Sequence, residues 1–541
     1  MKKMLTLKTA LLFIGCALVG VLAHAGVVTH DQLAMLSLAG FAGTMSGATT
    51  AETMALMKGA LATPDDALAK SISTGTGLVA YDLQAPAKNL YPVATPLRNR
   101  IPRVSGGTGI ATNWKAISSI IGSGYNAMPW VPEGQRSARM SYSVTNKAAS
   151  YMTLGEEDQI TYEAIRAAGG FEDAKARMVM RLLQKMMLKE EDAILGGNAS
   201  LSLGTPVTPT VATATTGGSL AALTYNVYVV ALTYEGFRNA SVANGVGTSQ
   251  TITGADGQTF TLNGGSSQKS AAATQVTTGA TSTISASTTA IVGACGYAWY
   301  VGVAGSEKLT AITSLNSVVI TTIVGQGSQN ASAITADCSK NANYAYDGLL
   351  STAFNSGSSY INTLATGTAG TGTALTASGR GSVVEIDNML QTMWNNYQVS
   401  PSVLFMNAQE IKNVTNKVLS NSSGPLLRYD GGAGSDPYAI VAGGTIAGYF
   451  NPFALNGGIK IPILLHPTLP AGTILGWCEN LPMQYQSNEV PNVAEIKTRA
   501  DYYQIDWPLR TRAQEVGVYA EEVLAVYAPF AMGVINNIAN A

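Results

Sequence analysis

Residues Phe171–Gly197 read FEDAKARMVMRLLQKMMLKEEDAILGG. Phe171, Met178, Leu182, Met186 and Ala193 recur at helical spacing, and Val179, Leu183, Met187 and Ile194 widen that stripe by one position. Glu172 and Asp173 sit where the positive end of a helix dipole favours them, and Gly196-Gly197 is a natural stop. The spacing predicts an amphipathic helix of about 25 residues, about 38 Å long at 1.5 Å per residue. Its methionine-rich stripe reads as a packed core face. The acidic run Glu190-Glu191-Asp192, close to Lys185 and Lys189, reads as a solvated or ion-paired face rather than a cation site.

Upstream, Thr153-Leu154-Gly155-Glu156 matches a capping box, so helical structure is expected from Thr153, broken at Gly169-Gly170. Farther back lies LYPVATPLRNRIPRV, Leu90–Val104. Pro92, Pro96 and Pro102 forbid helix there and bias the residues before them toward extended conformations, which predicts a strap. It runs directly into SGGTGIATNW, Ser105–Trp114. A phosphate cradle would need Gly-Lys-Ser/Thr, or G-x-G-x-x-G between a buried strand and a helix. This stretch has no Gly-Lys pair, follows a Pro-broken segment and precedes strand-like NWKAISSII. Its glycines instead supply positive φ at the base of a long excursion. The excursion reaches about Tyr151, with a polar tip near Pro132–Arg139 and an alternating return strand.

The N-terminus combines a basic MKKMLTLK, an apolar TALLFIGCALVGVL and Ala23-His24-Ala25 before Gly26. That is the pattern of a secretory signal peptide, and the apolar run is short for a membrane span. Taken alone it predicts export. The remainder of the chain argues against export, and a mistaken start upstream of Met35 or Met45 is one alternative. Residues 27–88 read as a loose arm with one or two short helices.

Downstream of Leu203 charge almost disappears until about Asn343. LTYNVYVVALTYEG places Tyr225, Val227 and Val229 on one face; CGYAWYVGVAG and SLNSVVITTIVG are further strands between Thr/Ser/Gly turns. Short strands at turn spacing predict a β-sandwich of about 100–140 residues, expected to be autonomous. A mixed pattern then returns. Ser382-Val383-Val384-Glu385 reads as a second capping box, opening a helix with Ile386, Met389, Leu390, Met393 and Tyr397 inward. PSVLFMN is a buried strand, Asn407 caps AQEIKNVTNKVL, and IKIPILLHPTLP and GTILGWC are strand-like. VGVYAEEVLAVYAPFAMGVINNI is an alternating strand ended by Pro529.

Composition bounds the function. The chain has 541 residues, enough for about three or four domains. Lys and Arg total 32 and Asp and Glu 33, so no bulk charge steers it toward nucleic acid or a membrane surface. Charged residues are only 12%, against about 25% in typical soluble domains. Such a chain either hides its surface against copies of itself or is a Thr/Ser/Gly-rich β protein. Cys16, Cys295, Cys338 and Cys478 form no CxxC and imply neither a disulfide framework nor a zinc site. Of the three histidines, His24, His30 and His466, the last precedes Pro467 in an apolar segment and reads as structural. No HExxH, GxSxG or cluster at metal spacing is present, so no catalytic residue, cofactor or metal ligand is assigned. Arg98, Arg100 and Arg103 in the strap suit phosphate contacts and subunit contacts equally.

In order and spacing the chain resembles tailed-bacteriophage major capsid proteins of the Hong Kong 97-type fold over about 90–200 and 345–540. LYPVATPLRNRIPRVSGGTGIATNW resembles the N-terminal arm entering the extended loop, and YEAIRAAGGFEDAKARMVMRLLQKMMLKEEDAILGG the spine helix. VEIDNMLQTMWNNYQVSPSVLFMNAQEI is similar to the axial domain's helix–strand–helix, and YAEEVLAVYAPFAMGVI to the closing peripheral strand. LTYNVYVVALTYEGFRNAS is similar to immunoglobulin-like or fibronectin type III modules. The resemblance implies an α+β Hong Kong 97-like fold with an inserted all-β sandwich. Its implied segments are a signal-like leader or part of a cleaved assembly arm (1–26), an N-terminal arm (27–104), an extended loop (105–152), a peripheral domain with the spine helix (153–203), an immunoglobulin-like β insertion (204–343), an axial domain (344–510) and a peripheral return strand (511–541). SGGTGIATNW then becomes the hinge of the extended loop. Crosslinking residues known in parts of the family map onto no motif here.

The implied function is self-assembly, as hexamers and pentamers, into an icosahedral shell around double-stranded DNA bound non-specifically, assembled in the host bacterial cytoplasm. Scaffold, protease, portal and decoration proteins are the further partners implied. Trp130, Glu133, Arg136 and Arg139 in the loop, with Arg98 and Arg100 in the strap, are the expected subunit contacts. Two alternatives stay open: an exported surface-layer or adhesive protein with a β module, and a nanocompartment shell of the same fold.

Overall fold

A computed structural model of the chain describes residues 94–119, 130–136, 143–169, 173–254, 257–378, 381–420, 428–429, 440–441, 446–454, 458–482 and 492–540. The leader and most of the N-terminal arm lie outside the described residues, as do Phe171 and Arg139. The chain divides into two compact units. The smaller takes in residues 158–179 and 507–515. In it Thr161 Oγ1 accepts the Ala164 N–H at 3.3 Å to start the helix Tyr162–Ala168. The Tyr162 N–H donates to Arg512 O at 3.0 Å, and Arg512 pairs with Glu163.

The larger unit holds residues 92–157, 180–506 and 516–541. Its centre is a six-stranded mixed sheet in the order Tyr360–Thr363, Met532–Asn536, Ile474–Trp477, Val403–Met406, Ile459–Leu465, Gly448–Asn451. The three central strands are buried on both faces, which is why PSVLFMN reads as a continuous apolar run rather than an alternation. Val403, Phe405, Leu475, Trp477 and Val534 enter one core with Ile194 and Leu195 of the long helix. Leu404, Met406, Ile474 and Ile535 enter another with Ile386, Met389, Leu390 and Met393 of the helix Val384–Tyr397. A four-stranded sheet, in the order Arg103–Val104, Ala494–Asp506, Ala513–Val526, Met152–Thr161, completes the frame. The two sheets divide the C-terminal region otherwise than a linear segmentation suggests. Residues 494–506 pair with Ala513–Val526, while 532–536 cross into the six-stranded sheet.

The long helix forms over Ala174–Gly196, started by Asp173 Oδ1, which accepts the Ala176 N–H at 3.1 Å. Met178, Leu182 and Met186 are buried at a spacing of four, whereas Leu183 and Met180 are exposed, so the buried stripe is narrower than the periodicity implied. No helix starts at Thr153: Met152–Thr161 is a strand. The local capping box loses because Glu156 is taken by Lys185 and Lys189, and Gly155 lies under the Tyr519 ring, where an added Cβ would stand 2.4 Å from it. The second capping box also fails to form. The helix cap is Val383, without a side-chain bond. Glu385 instead accepts the Thr376 N–H at 2.9 and 3.1 Å, and Ser382 turns to Ser378 O. Asn407 does cap its helix, accepting the Glu410 N–H at 2.9 Å.

Residues 204–343 form two facing sheets. One runs Ser317–Ile320, Thr283–Ser287, Thr210–Ala214; the other runs Lys308–Thr313, Gly296–Gly302, Thr224–Leu232, Ala273–Val276. Tyr225, Val227, Val229, Trp299 and Ile284 fill the space between them. Val230, Leu232, Ala298 and Tyr300 are buried on the opposite face of the second sheet, beneath Val246, Ala331 and Ile334. The module packs into the rest of the larger unit. Tyr234 and Cys295 belong to the same buried core as Ile194, Leu195 and Leu349. Asn316 N–H donates to Asn537 Oδ1 at 3.0 Å, and Asn537 Nδ2 returns a bond to Asn316 Oδ1 at 3.1 Å. An interface built from core residues and reciprocal buried amides is part of the fold, not a linker.

Candidate functional site

The strap reads differently in space from its sequence. Pro96 stands in a turn, closed by the Ile101 N–H donating to Leu97 O at 3.0 Å, and Leu97 and Ile101 are core residues. Only Arg103–Val104 is strand, parallel to Ile496 and Lys497. The turn is fastened to the end of the long helix. Glu191 accepts the Leu97 N–H at 2.9 Å on one oxygen and the Arg98 N–H at 2.7 Å on the other. His466 Nε2 lies 2.8 Å from Glu191 Oε1. Glu190 accepts Arg98 Nε at 2.6 Å and also meets Arg103 and Tyr502. Arg103 reaches Asp501 at 2.7 Å and Glu522 at 3.4 Å, and both guanidiniums lie over the Tyr502 ring. Tyr346 Oη donates to the other Glu522 oxygen at 2.8 Å.

Glu190 and Glu522 have no exposed side-chain surface. Buried carboxylates persist only when paired and hydrogen-bonded, so this cluster is a rigid anchor. The acidic run is therefore ion-paired, with Glu190 and Glu191 buried and Asp192 partly open to water. Its partners are the strap arginines, while Asp192 takes Arg238 and Tyr234. Lys185 and Lys189 go to Glu156 instead. Arg100 bonds Glu479 at 2.6 Å at the surface. Burial pushes the Glu522 carboxyl up to about 8, with Glu190 beside it adding to the rise. The buried Cys295 and Cys478 thiols are pushed up to about 12 by the same loss of solvation.

Past the strap, Gly106 and Gly109 take φ of 95° and 89°, the left-handed region that glycine enters without penalty, and Gly107 N–H is spent on Thr498 O at 3.1 Å. The two glycines let the chain turn from the strap into the ribbon. From it Ala111–Ser119 pairs antiparallel with Ser143–Ser150 as a two-stranded ribbon. At its base Trp114 Nε1 donates to Val526 O at 3.0 Å. Described residues farther out on the excursion are uncovered: Trp130 is 85% exposed, and Val131, Glu133 and Arg136 are exposed beside it. The structure thus separates the expected contact residues into an anchored group, Arg98 and Arg100, and a bare group at the tip.

Sequence reading missed Glu522, Asp501, Tyr346 and Tyr502. The available signal was the pair Glu521-Glu522 inside an apolar alternation, where one of two neighbouring acids must point inward. Among the described residues no group of three or more His, Cys, Asp or Glu is placed to hold a metal, and no helix is long and apolar enough to cross a membrane.

No family model matches the chain, and no curated protein does. Solved structures similar to it are shell proteins. The capsid of cyanophage A-1(L) is 11% identical, with a TM-score of 0.37 over 86% of this chain and 98% of its own. The holo-SrpI encapsulin complex from Synechococcus elongatus PCC 7942 is 8% identical, with a TM-score of 0.36 over 88% and 95%. The satellite phage P4 procapsid is 10% identical, with a TM-score of 0.33 over 82% and 94%.

Proposed function

We propose that this chain is a major capsid protein with a Hong Kong 97-like fold, a structural rather than catalytic protein that self-assembles into an icosahedral shell. The observation that carries the reading is the ribbon beyond the glycine hinge, with Trp130 bare at 85% exposure. A two-stranded ribbon is marginal in water by itself, and a large exposed aromatic on it needs a partner surface. A neighbouring copy, presenting the exposed Met180 and Leu183 of its spine helix, supplies one. Arg98 and Arg100 serve this reading by fixing the strap from which the ribbon springs. The low charge density suits a subunit that buries much of its surface against others.

Within the same proposal the subunits form hexamers and pentamers in the host bacterial cytoplasm and enclose double-stranded DNA through non-specific contacts. Scaffold, protease, portal and decoration proteins are the further partners. The two-sheet module is proposed to be immunoglobulin-like or fibronectin type III-like and to face outward. Expression of the chain followed by sedimentation and electron microscopy tests this: closed particles are expected, and a monodisperse monomer under all assembly conditions overturns it. Nuclease-resistant DNA in virion-derived particles separates a capsid from a protein-cargo compartment. The leader favours a second reading, an exported surface protein. Cleavage after Ala25 with periplasmic recovery supports that one instead.

A further inference from the structure

The anchor at the end of the spine helix holds more carboxylates than its cations can satisfy. Arg103 is shared among Glu190, Asp501 and Glu522, and its Nη2 lies closer to Asp501, at 2.7 Å, than to Glu522, at 3.4 Å. Arg98 is spent on Glu190. Asp501 is open to water, while Glu190 and Glu522 have no exposed side-chain surface. Both buried acids converge on the one Arg103 guanidinium, Glu190 at Nη1 and Glu522 at Nη2. Two buried like charges on one cation disfavour ionisation of one of them. Tyr346 offers a neutral hydroxyl from the loop before the helix Leu349–Ser356, and Thr498 is the register partner on the adjacent strand. Tyr502, on the same strand as Asp501, faces Glu190.

We propose that Glu522 holds a proton at neutral pH, and that losing this proton in alkaline solution loosens the strap from the spine helix. Glu190 is the residue that holds both Arg98 and Arg103. Repulsion from an ionised Glu522 therefore acts on the contacts that fasten the turn at 95–101. The strap continues into the Gly106–Gly109 hinge, so the base of the ribbon is released with it. The acid ionises in place and the proton leaves to solvent; no co-reactant is needed.

Hydrogen–deuterium exchange on the full chain, corrected for the intrinsic pH dependence of amide exchange, tests this. The peptide covering residues 94–104 is expected to lose at least about tenfold in protection between about pH 6 and about pH 9, while the peptide with Val403–Met406 holds. Glu522→Gln still accepts the Tyr346 hydroxyl without the titration and is expected to stay protected throughout. Unchanged strap protection in the native chain, or an equal loss in Glu522→Gln, overturns the proposal. Should that variant fail to fold, infrared difference spectroscopy of the native chain over the same range decides. A buried protonated-carboxyl band that disappears supports the device, and its absence at neutral pH overturns it.

Discussion

Glu191 Oε1 lies 2.8 Å from His466 Nε2, with both side chains sealed from water, while the same carboxylate accepts the backbone N–H groups of Leu97 and Arg98. One side chain near the end of the spine helix therefore joins three segments that are distant in sequence. Glu191→Ala strands a buried amide, a part-buried amide and an imidazole nitrogen. Each unsatisfied group costs about 1–3 kcal/mol, so a loss of about 3–5 kcal/mol is expected in urea unfolding. Lys185→Ala, removing an exposed partner of Glu156, is expected to cost under about 1 kcal/mol. A Glu191→Ala midpoint equal to that of Lys185→Ala would show that the anchor is not structural.

Gly196→Ala reverses the usual sign. Alanine is normally worth about 1 kcal/mol over glycine within a helix. Here a Cβ would stand 2.2 Å from the Tyr234 ring and 2.5 Å from its Cβ, and Tyr234 is itself buried in the shared core. Overpacking of that kind costs about 1–3 kcal/mol. A lowered melting temperature is expected, and a raised one would mean that the module yields freely at this junction.

Deleting residues 206–340 and closing the gap with a short Gly/Ser linker tests the same junction at larger scale. The deletion removes Tyr234 and Cys295 from the main core and leaves Asn537 without Asn316. Insoluble chain is the expected outcome. A soluble product with native melting would show that the sandwich is detachable after all.

Trp130→Ala is expected to leave the subunit's circular dichroism and melting unchanged, because the side chain touches little in its own chain. Its effect falls on assembly, where truncating an interface hot spot costs about 2–4 kcal/mol per contact. Arg136→Ala, at an exposed position, is expected to weaken particles by at most about 1 kcal/mol per contact and in a salt-dependent way. Particles of normal yield from Trp130→Ala would remove the tip from the interface.

Stability should fall as pH rises through the window set by Glu522. Its folded-state value of about 8 lies above the ordinary 4.5, so the folded chain binds the extra proton between those limits. The contribution is complete below about 4.5 and is lost as pH climbs through about 8. The slope attributable to this group is at most about 1.4 kcal/mol per pH unit. It is read as the difference between the native chain and Glu522→Gln in unfolding experiments at several pH values. Parallel curves for the two proteins would place the titration elsewhere.

The sequence by itself determined the elements whose causes are local. The 174–196 helix follows from a four-residue apolar spacing, and the strands at 403–406 and 474–477 from short apolar runs. The Asn407 cap and the positive-φ glycines at 106 and 109 follow from side-chain chemistry and the missing Cβ. Tertiary structure decided whatever depended on a distant partner. Thr153–Glu156 carries a helix signal, yet it is strand, because a sheet neighbour and two lysines outweigh a cap worth about 1 kcal/mol. Strap and spine meet through Glu190 and Glu191, about ninety positions from Arg98 and Leu97, and Glu522 joins Arg103 across 419 positions. Charge type is written in the sequence, but pairing and burial exist only once the chain closes on itself, and they alone turn a surface-like acidic run into the anchor of the fold.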